Sequence, residues 1–141
     1  MGRYFQLYFL SNYSAGTAIL INKTFKGTVS PTHISDDGRL VSLDIDYGGS
    51  QLRVVSVYTP KISLDRKFLF SRLSEHLSVS RNNIVLGDFN CVNSMKLDTL
   101  GYSESSSSLE GSKELGYSLS DFGLTDSFRY LNPRTKNFTW F

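Results

Sequence analysis

A mixed α/β (α+β) fold, with packed sheets inside and helices outside, is predicted by three features of the chain. Its first sixty residues read as strands joined by tight turns. The apolar period then changes from that of a strand to that of a helix. Directly afterwards comes a wholly apolar run, Ile84-Val85-Leu86, which ends at Gly87 and has the character of a strand buried on both faces.

In chain order, Tyr4 to Leu10 is aromatic and apolar and suits a strand. Ser11 to Gly16 supplies turn residues, and Thr17 to Ile21 forms a second apolar strand. Asn22 to Lys26 is a polar turn. Gly27 to Ser35 is predicted as an edge strand, because Pro31 cannot donate to a central ladder. Asp36-Asp37-Gly38-Arg39 marks a turn, after which Val41, Leu43 and Ile45 alternate with Ser42, Asp44 and Asp46, so that one face is expected to meet water. The second hairpin turn is Tyr47-Gly48-Gly49-Ser50, and Leu52 to Tyr58 is richer in apolar residues and more central. Pro60 ends it. From Ser63 to about Ser78, Leu69, Leu73 and Leu77 recur at helical spacing beside Phe68 and Phe70, with Ser63 as N-cap and Asp65 in the first turn. Ser103 to Ser108 reads as a surface loop, and Leu109 to Phe122 as a second helix stopped by Gly123. The closing aromatic run, Phe138 to Phe141, leads to the expectation that the sequence is the central portion of a longer domain spanning 1-141 here, without an interior linker.

A length of 141 residues, 40% hydrophobic and 20% charged, is one domain's worth of globular protein. Fifteen basic against 13 acidic side chains leave +2, too little to announce a nucleic-acid binder. Lys61, Arg66, Lys67, Arg72 and Arg81 form a weak basic group that reads as a solvated face. Cys91 is the single cysteine, which excludes an internal disulfide and suits a reducing compartment. With no signal peptide or membrane-length apolar run in the sequence, the expected location is intracellular, nuclear or cytoplasmic, rather than secreted or in a membrane.

Chemistry concentrates where the apolar strand ends. Asp88 and Asn90, two apart, project to one side of an extended chain. A carboxylate there can ligate a hard cation or take a proton from water, and an amide can donate to a phosphate oxygen. An Asx-turn closing a core strand accounts for the same residues equally well. Tyr58, at the end of the other central strand, would join them if the two strands are neighbours; alternatively it is a core tyrosine with its hydroxyl at the rim.

The succession of blocks resembles the endonuclease/exonuclease/phosphatase family, and within it the apurinic-type endonuclease domain of LINE-like (non-LTR) retrotransposons. The similar blocks are Ser14 to Ile21, Asp37-Gly38-Arg39, Val55 to Pro60, Val85 to Val92, Leu97-Asp98, Leu124 to Arg129 and Phe138-Thr139-Trp140. The resemblance implies a four-layered α/β sandwich of two packed sheets, incomplete in this chain, that hydrolyses DNA phosphodiesters with magnesium or manganese. By the same resemblance Asp88 orients or deprotonates the attacking water, Asn90 contacts the scissile phosphate and the metal shell, and Tyr58 hydrogen-bonds the phosphate. Asp88 and Asn90 are thus the implied metal residues. Thr139 and Trp140 match a DNA-facing block. Lys61 stands where many relatives carry an asparagine that contacts the backbone, and a lysine there could meet a phosphate.

By the resemblance, the family's metal-binding glutamate would precede Met1, its essential histidine would follow Phe141, and a reverse transcriptase would belong to the parent reading frame. His33 and His76 read as surface residues, and Asp126 and Arg129, three apart, as a local ion pair. The isolated chain is therefore expected to be weakly active or inactive. Two other readings remain open: a non-catalytic remnant or interaction piece for nucleic acid or protein, and a phosphatase or phosphodiesterase of the same superfamily.

Overall fold

A computed structural model of the chain describes residues 5–12, 15–99 and 109–137. It is α+β: a mixed four-stranded sheet, a two-stranded hairpin and, among the described residues, four helices. Backbone proximity divides the chain into two compact units, Met1–Thr59 with His76–Asp88, and Pro60–Glu75 with Phe89–Phe141.

The first unit holds all the strands among the described residues. β1 (Phe5–Asn12) and β2 (Ala15–Asn22) pair antiparallel from Phe5↔Asn22 to Asn12↔Ala15, so the strands run further into the expected turn than its composition indicated. The sheet is ordered β3 (Thr28–Ile34), β4 (Leu40–Tyr47), β5 (Ser50–Tyr58), β6 (Asn82–Asp88). Among the described residues β3 is an edge strand, as expected, and its register with β4 shifts between Pro31 and His33, where proline interrupts the ladder. β4 and β5 are antiparallel and joined at Gly48-Gly49, whereas β5 and β6 are parallel and therefore need the long connection that the helical segment supplies. One core cluster centres on Val41 and Leu43, both fully buried, with Ile19, Ile21, Val29 and Ile45 packed on them; Val55 and Val57 of β5 are buried as well.

Two expectations fail in this unit. Of the polar positions of β4, Asp46 keeps a 43% exposed side chain, but the other two do not face water: Ser42 is fully buried and shares a hydrogen bond of 2.6 Å with Thr32, and Asp44 is gripped by both Arg53 (2.6 and 3.2 Å) and Arg81 (3.3 Å). Short polar side chains can be buried in a sheet when their partners stand on the adjoining strands, which a single strand's pattern does not disclose. Nor is β6 buried on both faces. Ile84 is 43% and Leu86 44% exposed; two apart, they share one face of β6, which is also the sheet's other edge among the described residues.

The second unit is helical. α1 (Ser63–Ser71) begins after Ile62, so Ser63 is its first residue and not its cap; the Ser63 hydroxyl bonds Glu110 instead. The helix stops at Arg72, earlier than the leucine spacing predicts, and a 3-10 turn, Leu73–His76, carries the chain onward. α2 (Met95–Asp98) is capped by Ser94, whose side chain accepts from the Leu97 amide. α3 (Ser112–Ser120) starts three residues later than expected, and Gly123 closes the segment in the left-handed conformation as expected. α4 (Ser127–Leu131) is capped by Asp126, which accepts from the Arg129 amide at 2.9 Å. Phe70 is fully buried and stacks on Phe89 at 6.3 Å, while its carbonyl accepts a hydrogen bond from Ser118 of α3.

Arg66 corrects the reading of the basic group as a solvated face. It is 2% exposed and donates to the carbonyls of Pro60 (3.2 Å), Lys61 (2.9 Å) and Glu110 (2.8 Å), tying α1 to the loop before α3. Three acceptors arranged around one guanidinium supply what burial of its charge demands.

Candidate functional site

The carboxyl ends of β5 and β6 lie side by side in the first unit, and there Tyr58 pairs in register with Asp88. Register partners on parallel strands share a face, so the two side chains project together. Gly87 makes this approach possible. Its φ is +138°, and a Cβ added there would lie 1.9 Å from the Val57 carbonyl oxygen. Only glycine lets β6 come this close to β5 one residue before the aspartate.

Thr59 fastens the strand ends: its amide and its hydroxyl both donate to the Asp88 carbonyl, at 2.9 and 3.2 Å. Thr59 is fully buried, Tyr58 is half-buried and Asp88 is exposed, an arrangement that anchors the backbone and offers the carboxylate to solvent. The outer ends of parallel strands in α/β sheets are where such folds receive ligands.

A further side chain belongs to this end of the sheet. The Arg39 guanidinium lies 5.5 Å from the Tyr58 ring centroid and donates to the Tyr58 carbonyl at 3.3 Å, while the Tyr58 amide donates to the Arg39 carbonyl at 2.9 Å. The backbone of Arg39 is itself held, its amide donating to Ser35 Oγ (3.0 Å) and Asp37 Oδ1 (3.1 Å). Sequence reasoning took Asp37-Gly38-Arg39 for a turn with a family likeness and assigned Arg39 no role. The available signal was that block itself, an arginine leaving a turn at the start of the strand next to the one that ends in Tyr58.

Lys61 and Asn90 belong to the second unit. Lys61 is exposed and its carbonyl is engaged by Arg66; Asn90 is half-buried with φ +45°, a conformation that asparagine tolerates better than most residues. Thr139 and Trp140 lie outside the described residues. Asp126 and Arg129 do not form the expected side-chain pair. The Arg129 guanidinium pairs with Asp98 and also donates to the carbonyls of Asn132 (3.1 Å) and Thr135 (2.8 Å), so two separated sequence blocks meet in one ion pair of the second unit. His33 is exposed and His76 half-buried, and their rings stand 4.5 Å apart.

For a divalent ion, the described residues contain no group of three or more His, Cys, Asp and Glu side chains arranged to hold one. Magnesium commonly takes one or two protein carboxylates and completes its shell with water and phosphate oxygens. The exposed Asp88 carboxylate at the strand end meets the lower bound of that requirement. No helix of the described residues is long and apolar enough to cross a membrane. No family model matches the chain, and no curated protein matches it.

Proposed function

We propose that the chain carries part of the machinery of a metal-dependent DNA endonuclease of retrotransposon type, and that its chemistry is hydrolysis of a phosphodiester. The observation that carries this reading is the in-register pair Tyr58 and Asp88 at the carboxyl ends of two parallel strands. A carboxylate can accept the proton of an attacking water, and a phenol can donate to a phosphoryl oxygen as its charge grows. Arg39, stacked on Tyr58 and bonded to its backbone, holds that ring in place. Asp88 and Asn90 are the residues that would hold the magnesium or manganese ion, which when bound would stabilise charge on the phosphoryl oxygens. The roles of Asn90 and Lys61 rest on the resemblance alone.

The proposal includes the four-layered fold of two packed sheets, with β1 and β2 belonging to the second. It is supported by Ile19 and Ile21 of β2 against Val41 and Leu43 of β4, and by the 2.5 Å hydrogen bond between Thr17 of β2 and Ser56 of β5.

Positions 1 to 141 offer no match to the glutamate and histidine that the resemblance calls for, and a general acid or base alone contributes roughly 10² to 10⁴ in rate. Plasmid nicking by this chain is accordingly expected to be slow or absent. The deciding measurement is the affinity for a fluorescein-labelled DNA duplex, with and without magnesium. Affinity should rise with magnesium in the native chain, and the rise should vanish in Asp88→Ala while Tyr58→Phe weakens binding severalfold. Affinity that ignores magnesium and both substitutions would overturn the reading.

A further inference from the structure

A concavity opens at the end of the sheet opposite Tyr58 and Asp88. β5 runs from Ser50 to Tyr58, so at ~3.3 Å per residue the two ends are about 26 Å apart. The cleft measures about 400 Å³ and is walled by Lys26, Asp46, Tyr47, Gln51 and the Gly48-Gly49 turn. That size lies within the range of small-molecule sites.

Three features give the cleft its chemistry. Tyr47 is 57% exposed at the end of β4, and its ring is braced by Phe25 at a centroid distance of 5.2 Å. A large aromatic face held in a fixed position and left open to water is a stacking platform. Gly27 secures the brace, because a Cβ there would lie 2.5 Å from the Asp46 carbonyl oxygen and 2.6 Å from the Phe25 ring. Lys26, exposed on the same wall, has no ion-pair partner among the described residues.

The one carboxylate on the wall is already neutralised. Arg81 donates to Asp46 at 2.6 Å and, with Gln51, holds its carboxyl below the usual range. The lining is left with an unopposed positive charge beside an aromatic face. An anion joined to a flat ring satisfies both.

We propose that this cleft binds a nucleotide unit, its base stacked on Tyr47 and its phosphate on Lys26. The unit can come from a free mononucleotide or from a single strand passing over the turn, since both present the same ring and phosphate. The inference does not depend on the phosphodiester chemistry at Tyr58 and Asp88.

Amide NMR spectra of the full ¹⁵N-labelled chain, titrated separately with thymidine 5′-monophosphate and with a ten-residue oligothymidylate, test it. Amides of residues 26–28 and 46–51 should move with at least one of the two. A response to the mononucleotide assigns a nucleotide site, and a response to the oligomer alone assigns a single-strand site. Tyr47→Ala should weaken that binding about tenfold, Lys26→Gln severalfold, and Tyr47→Phe should retain it. Shifts confined to residues around Asp88, no shifts with either probe, or affinities unchanged by Tyr47→Ala and Lys26→Gln would each overturn the assignment.

Discussion

Gly87 decides whether Asp88 can stand opposite Tyr58. A methyl group there meets the Val57 carbonyl oxygen, carbon and nitrogen at 1.9, 2.8 and 2.9 Å, all backbone atoms that cannot move without parting β5 from β6. Gly87→Ala is expected to destabilise the fold by about 2 to 4 kcal/mol, read from urea unfolding followed by circular dichroism. A loss under ~1 kcal/mol would show that the strands can separate at little cost. At this scale the sequence was partly legible. An apolar run ending in glycine and then aspartate and asparagine identified the strand end, and Tyr58 followed from its own strand. Arg39 did not, because an arginine after Asp-Gly carries the signal of a turn whether or not its side chain then folds over a tyrosine from another strand.

Among the elements, α1 shows how far periodicity reaches. Its spacing predicted a helix, and Phe70 and Leu73 are indeed fully buried, while Phe68, in the same apolar pattern, is 63% exposed. Arg66 occupies an inward position that a pattern of apolar residues assigns to solvent. Arg66→Met would keep most of the side chain's bulk and leave the carbonyls of Pro60, Lys61 and Glu110 without this donor. A loss of about 2 to 4 kcal/mol is expected, against little change for Arg72→Ala, whose pair with Glu75 is exposed on both sides. Equal effects of the two substitutions in a thermal melt would contradict the tie between α1 and the Glu110 carbonyl. Strand order follows the same rule: the alternation of β4 was readable, but the burial of Ser42 depended on Thr32 from β3.

Across the whole molecule, each unit contains a carboxylate held in its charged form. In the first, Asp46 is lowered chiefly by its hydrogen bond to Arg81; in the second, Glu110 is lowered by Ser63 and then by Lys67. A depressed folded pKa contributes stability that is present above the unfolded value, near 4, and lost as pH falls through the folded one. The urea midpoint should therefore be flat from pH 7 to about 5 and fall below pH 4. Asp46→Asn should make the acid decline shallower, and a decline of the same steepness in that variant would remove Asp46 from the account. The sequence by itself determined the strands, the main helices, the edge position of β3 and the two side chains of the candidate site, because those follow from local period, turn chemistry and residue type. Only the tertiary structure decided that β6 lies exposed at a sheet edge, that Arg66 is buried, that Arg129 takes Asp98 rather than Asp126, and that Tyr47 and Lys26 share a cleft. Each of these depends on which distant segments come into contact, and burial and charge pairing are properties of those contacts rather than of any stretch of chain.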